Sequence, residues 1–134
     1  MSNFLVYLDT SEVRPGKLGE LKAAMQELAS FVDANEPRIV AYNVYFSGDG
    51  SRMSVLHIHQ DLASLEIHLK VAGPRFTPIA PLIRLLTIDV FGAVNGEVGK
   101  QLQAKARLLG GGTVIIHDLD SGFARYGQPP ARHH

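Results

Sequence analysis

The chain has no cysteine and no tryptophan. Without thiols there is no disulfide framework, no thiolate nucleophile and no cysteine-ligated zinc. Neither sign of charge is in excess: Lys and Arg together number 13, Asp and Glu also 13, for a formal net charge of +0. That balance gives no electrostatic ground for a nucleic-acid or membrane partner. It also protects weakly against self-association, which suits an oligomer. No apolar run is long enough to span a bilayer. The opening MSNFLVYLDTSE has no basic stretch before its apolar residues, unlike a secretory signal, so a cytoplasmic protein is the default expectation. The final His133-His134 pair reads equally as a tag remnant or a natural tail and is left out of site reasoning.

What the chain does have suits one compact domain: 134 residues, 46% hydrophobic and 19% charged. Phe4 to Leu8 reads as a strand, broken by SEVRPG. From Lys17 to Asn35 the apolar residues Leu18, Leu21, Met25, Leu28 and Val32 alternate by three and four, one stripe of an amphipathic helix. Glu36-Pro37 ends it. Ile39 to Phe46 and Met53 to His59 flank SGDGS and form a hairpin. Asp61 is a suitable N-cap for a second helix with Leu62, Leu65 and Leu69 on one side. A proline-rich connector, GPRFTPIAPL, follows. Leu85 to Val94 is a fourth strand, Val98, Leu102, Ala106 and Leu109 mark a third helix closed by Gly110 to Gly112, and Thr113 to Asp118 is a fifth strand.

The order β-α-β-β-α-β, then α-β, predicts an α+β ferredoxin-like domain with an added helix and strand on the same sheet. One domain is expected over 1–134, with its core at 4–94, an extension at 95–126 and a tail at 127–134. Side chains alternate along strands, so each strand offers two lists. One is apolar: Phe4, Val6, Leu8; Val40, Tyr42, Val44, Phe46; Leu56, Ile58; Leu86, Ile88, Val90. The other is mixed: Leu5, Tyr7, Asp9; Ala41, Asn43, Tyr45; Val55, His57, His59; Leu85, Thr87, Asp89. The apolar lists are expected beneath the helices. The mixed lists are expected on a second face, buried against another copy of the sheet to make a dimeric α/β barrel.

Three of the six histidines lie between Val55 and Leu69. His57 and His59 point the same way, about 6.6 Å apart along the strand, and could bind a metal or simply line a barrel wall. His68 falls at the edge of the second helix's apolar stripe. There an imidazole can reach a cleft and act as acid, base or hydrogen-bond donor near neutral pH, or make one ordinary hydrogen bond. Tyr7, Asn43 and Tyr45 could hydrogen-bond a phenol or quinone. Arg75 and Arg84, flanking the connector, could anchor an anion. Gly110 to Gly112 follows a helix and is no phosphate loop.

The frame VRPGKLGELKAAMQELASFVDANEP, the hairpin, and HQDLASLEIHLKVAGPRF resemble the antibiotic biosynthesis monooxygenase group over about residues 4 to 92. The matching pieces are the Pro-Gly entry to the first helix, the Glu-Pro exit, Ser64-Leu65, and a histidine followed by a phenylalanine, His68 and Phe76. The resemblance implies a homodimer of ferredoxin-like sheets and oxidation of electron-rich phenols or quinols without metal, flavin or haem. It makes His68 the catalytic polar group and Phe76 an apolar wall. The family's frequent tryptophan is missing, Arg75 stands where a second histidine often precedes the phenylalanine, and the residues after 95 exceed the minimal domain.

The leading expectation is a cofactor-independent monooxygenase acting on a small aromatic or quinol-type substrate. His68 would be catalytic, Tyr7, Asn43, Tyr45, His57 and Phe76 would bind substrate, and no metal or cofactor is called for. Two alternatives stand beside it: a non-catalytic dimeric barrel holding a small apolar ligand, and a metal-dependent enzyme using His57 and His59.

Overall fold

A computed structural model describes residues 4–125. The expected tail at 127–134, with His133 and His134, lies outside the described residues. The elements are β1 (Leu5–Val13), α1 (Leu18–Asn35), β2 (Ile39–Phe46), β3 (Arg52–His59), α2 (Leu62–Ala72), β4 (Ile83–Phe91), α3 (Gly96–Leu108) and β5 (Thr113–His117). Two short 3₁₀ turns, Gly73–Arg75 and Ala80–Leu82, form the connector before β4. One sheet runs β2-β3-β1-β4-β5. Its first four strands pair antiparallel, and β5 lies parallel to β4. A parallel neighbour needs a crossover, which α3 supplies. This is the α+β ferredoxin-like fold with an added helix and strand that the element order predicts.

Local chemistry sets the boundaries. Leu21, Met25, Leu28 and Val32 form the buried stripe of α1. Asp61 caps α2 by accepting from the Ser64 N–H at 2.9 Å and also pairs with Arg38. Asn95 caps α3 by accepting from the Val98 N–H at 2.9 Å. Gly110 takes φ +117° and Gly111 φ +89° to turn the chain into β5. Gly112 approaches β4 so closely that a Cβ there would sit 2.8 Å from the Leu85 carbonyl oxygen. Strand β1 runs on to Val13, past the expected break. Thr10 to Val13 pair with β4 despite their polar pattern.

The sheet faces differ from the sequence expectation on β1 and β3, whereas on β2 Tyr42, Val44 and Phe46 pack beneath the helices and Asn43 and Tyr45 lie on the open face, as expected. Leu5, Tyr7 and Asp9 of β1 and Val55, His57 and His59 of β3 are buried under the helices. Their partners there include Met25 and Leu28 from α1, Leu65 and His68 from α2, and Leu102 and Lys105 from α3. Val6 and Leu8 therefore belong to the other face, together with Leu56, which pairs with Leu8. Apolarity misleads here because three of the polar groups of the mixed list find helix side chains inside: Tyr7 and Asp9 meet Lys105, and His59 Nδ1 meets Ser64, while His57 has no hydrogen-bond partner among the described residues. Strand β4 contributes to both lists, because the β1–β4 register shifts between Thr10 and Ser11 and places Leu85 and Ile88 inside together. The open face carries Asn43, Tyr45, Phe91 and Ile115, all exposed.

Candidate active site

The interior between helices and sheet holds an unusual polar cluster. Asp9, Glu36, His57, His59, His68 and Lys105 are all buried, along with Ser11 and Ser64. Strands β1 and β3 present Tyr7, Asp9, His57 and His59; α2 presents His68; α3 presents Lys105; Glu36 sits just past α1.

His68 is the centre of this arrangement. Its Nδ1–H donates to the Glu36 carboxylate, at 2.9 Å to Oε1 and 3.0 Å to Oε2. Its Nε2 is buried with no hydrogen-bond partner among the described residues. A carboxylate on Nδ1 selects the tautomer whose lone pair is on Nε2. Burial pushes the His68 pKa down, against the raising effect of Glu36, so the imidazole is neutral at neutral pH. The buried stripe of α2 is Ser64, Leu65, His68 and Ala72, which puts His68 in the middle of the buried face instead of at its edge. The bond from His59 Nδ1 to Ser64 Oγ, 2.8 Å long, helps orient the helix that way.

A second group lies beside it. Lys105 Nζ donates to Tyr7 Oη at 2.8 Å and lies 3.6 Å from Asp9 Oδ2. The ammonium sits 4.2 Å from the Phe76 ring centre and 4.8 Å from that of Tyr7. Burial lowers the Lys105 pKa and raises that of Asp9, each opposed by the other's charge. Asp9, Tyr42, Phe76, Ile79 and Lys105 line a narrow cleft, closed to about one or two water-sized spaces. Tyr42 also lines an open groove between α1 and β2, so it borders both the groove and the cleft. Tyr42 and Phe76 flank the His68 ring, with centroids at 5.6 and 5.9 Å.

Of the residues read from the sequence, Tyr7, His57, His68 and Phe76 come together. The His57 ring lies 4.3 Å from Tyr7 and 4.6 Å from His68. Asn43 and Tyr45 do not join them; both are exposed on the open face. Arg75 stacks on Phe31 at 3.6 Å, and Arg84 pairs with Glu12 at 2.8 Å. Among the described residues, no three of His, Asp and Glu are arranged to hold a metal ion. Sequence reasoning missed Glu36, Asp9 and Lys105 as site residues. Glu36 reads as helix-exit chemistry, and Lys105 sits one position before Ala106 in the α3 stripe, where a cation is ordinarily solvated.

Comparison with known structures follows this geometry. MupZ from Pseudomonas fluorescens matches with a TM-score of 0.73 at 18% identity, over 93% of this chain and 91% of that one. A provisionally named antibiotic biosynthesis monooxygenase from Caulobacter crescentus matches at 0.62 and 22% identity, over 70% and 92% of the two chains. SnoaB, a cofactor-independent oxygenase from Streptomyces nogalater, matches as its N63A mutant at 0.59 and 18%, over 70% and 96%. This is the fold of the antibiotic biosynthesis monooxygenase-like proteins. The monooxygenase-like chains are covered almost whole by 70% of this one, so this chain is the longer form of the fold, while MupZ spans nearly all of it. No protein-family model matches the chain, and no curated protein does.

Proposed function

We propose that the protein is a cofactor-independent, monooxygenase-like enzyme acting on a small phenol or quinol, with His68 as general base. The observation that carries this reading is the buried Glu36–His68 pair with a free Nε2. A hydroxyl presented to Nε2 loses its proton there, and Glu36 stabilises the imidazolium that forms. The ring left behind is an electron-rich phenolate that gives its electrons to dioxygen. One oxygen atom enters the ring, and the other leaves as water with two hydrogens from the substrate. The protein supplies a dry cleft, walls from Phe76 and Tyr42, and hydrogen bonds from Tyr7 and His57. Binding displaces Tyr42 and the connector bearing Phe76 and Ile79, because the cleft as it stands has room for only about one or two waters and His68 is not in its lining.

The fold shared with an oxygenase supports the reaction class, and the dyad supports the role of His68. Oxygen uptake with a panel of reduced quinols tests the reading. His68→Gln is expected to lower turnover by about 10²–10⁴-fold, the usual range for a positioned base. No uptake with any quinol, or uptake unchanged in that variant, would overturn it.

The same proposal includes a homodimer, in which the open face of the sheet packs on that of a second copy. Phe91, Ile115 and Tyr45 are 42%, 39% and 54% exposed there, an apolar set that no described helix covers. No described helix is long and apolar enough to cross a membrane; a cytoplasmic enzyme is part of this proposal.

A further inference from the structure

We propose that the added helix α3 completes an oxyanion-binding site, in which Lys105 and His57 hold a small hydroxyl compound, a phenol or enol, that enters neutral and is bound as its oxyanion. The inference rests on the reading of His68 as proton acceptor and deepens it by assigning the charge partner of the phenolate, Lys105 of α3, which that reading does not contain.

Lys105 offers three N–H donors. Tyr7 Oη takes one at 2.8 Å and Asp9 lies at 3.6 Å, which leaves a direction for a ligand. The ammonium also forms part of the cleft wall. An independent observation concerns a side chain one residue away, across Tyr7 from the cleft wall. His57 is 1% exposed, and neither of its ring nitrogens has a partner among the described residues. A buried imidazole without hydrogen bonds is costly unless something absent from the free protein bonds it. Its ring lies against Tyr7 at 4.3 Å, the same side chain that accepts from Lys105, and against His68 at 4.6 Å. Two donor groups thus flank Tyr7, and the proton acceptor lies against one of them, His57.

Charge selects the ligand class. The cluster already buries two carboxylates, Asp9 and Glu36, against one lysine. A ligand arriving as a carboxylate would add a third negative charge from outside. A neutral hydroxyl compound adds none, because its proton moves only to His68 and the total charge is conserved. The oxyanion then pairs with Lys105, and the imidazolium pairs with Glu36.

The test uses para-nitrophenol, whose phenolate is coloured, with the full chain in buffer acid enough to keep the free compound protonated. Binding is expected to generate the phenolate band. Lys105→Met is expected to weaken binding by at least about tenfold and to abolish the band. Because that variant strands Asp9, the double variant Asp9→Asn/Lys105→Met removes the pair together and is expected to fold and to lose the band likewise. Benzoate is expected to compete poorly. Binding without the band, a band that survives in the folded double variant, competition by benzoate equal to that by phenol, or no binding of the nitrophenol would each overturn the proposal. The readout needs no turnover. A phenolate band without oxygen uptake by quinols would sink the oxygenase reading alone, and uptake without the band would sink this one alone.

Discussion

Glu36 and His68 are far apart in sequence and meet with both carboxylate oxygens within 3.0 Å of Nδ1. Their roles are separable by mutation. Glu36→Gln keeps an oxygen that can accept from Nδ1–H but removes the charge that stabilises the imidazolium. It is therefore expected to lower turnover less than His68→Gln does, while moving the acid limb of the rate–pH profile to lower pH. Burial already holds His68 below the ordinary imidazole range, so activity should persist below about pH 6.5. Equal losses in both variants, or an unmoved acid limb, would separate Glu36 from the base. The sequence exposed half of this pair. His68 is conspicuous as a lone imidazole among leucines, whereas Glu36 precedes a proline at a helix end and is accounted for without a partner. Which side chain fills the space beside His68 is a long-range fact, set by α1 and α2 both crossing the same sheet face.

At the scale of the elements, capping and glycine chemistry were legible. Asp61 is the N-cap of α2, the hairpin sits at SGDGS, and the β-α-β-β-α-β-α-β order holds. The assignment of faces was legible on β2 but not on β1 and β3. Alternation gives two lists per strand but no label, and the apolar-inside rule fails when the polar list is internally paired, as Tyr7 and Asp9 are with Lys105. The bulge opposite Thr10 adds a shift that no pattern in β4 announces. Gly112 offers a test of how tightly the added unit is docked. In Gly112→Ala the new Cβ meets backbone, the Leu85 and Leu86 carbonyl oxygens, which cannot rotate away. The substitution is expected to destabilise the chain by about 1–3 kcal/mol in urea unfolding. Since α3 carries Lys105, it should also impair nitrophenolate binding more than its stability cost explains. An alanine variant as stable as the parent would mean that β5 is not held where Gly112 places it.

For the whole molecule, the buried histidines set the response to acid. Burial lowers the pKa of His57 and His68, and brings that of His59 to about 3. Each folded pKa lies below the unfolded value, so the unfolded chain binds more protons in between, and stability falls as pH drops below about 6.5. Each histidine contributes at most about 1.4 kcal/mol per pH unit across its window. His59→Gln should flatten the decline between pH 6 and pH 4, as read from urea midpoints; an unchanged slope would show that His59 is protonated in the fold. In the proposed homodimer, the open sheet face is what responds to concentration. Leu8→Lys puts a charge in the middle of that face and is expected to leave the helix-covered interior intact while converting a dimer to a monomer in sedimentation. A monomeric parent protein would remove the dimer from the proposed function.

The phenols of Tyr7 and Tyr42 have an optical consequence. Tyr7 is fully buried, Tyr42 is half-buried, and burial raises the ionisation of both far above the usual range. With no indole in the chain to drain their excitation, tyrosine emission reports directly on the tyrosines. Lys105 touches Tyr7 Oη, and Tyr42 borders both the groove and the cleft. A ligand entering by that route therefore passes one intrinsic fluorophore and settles against the other, and an alkaline absorbance titration doubles as a record of when the interior opens.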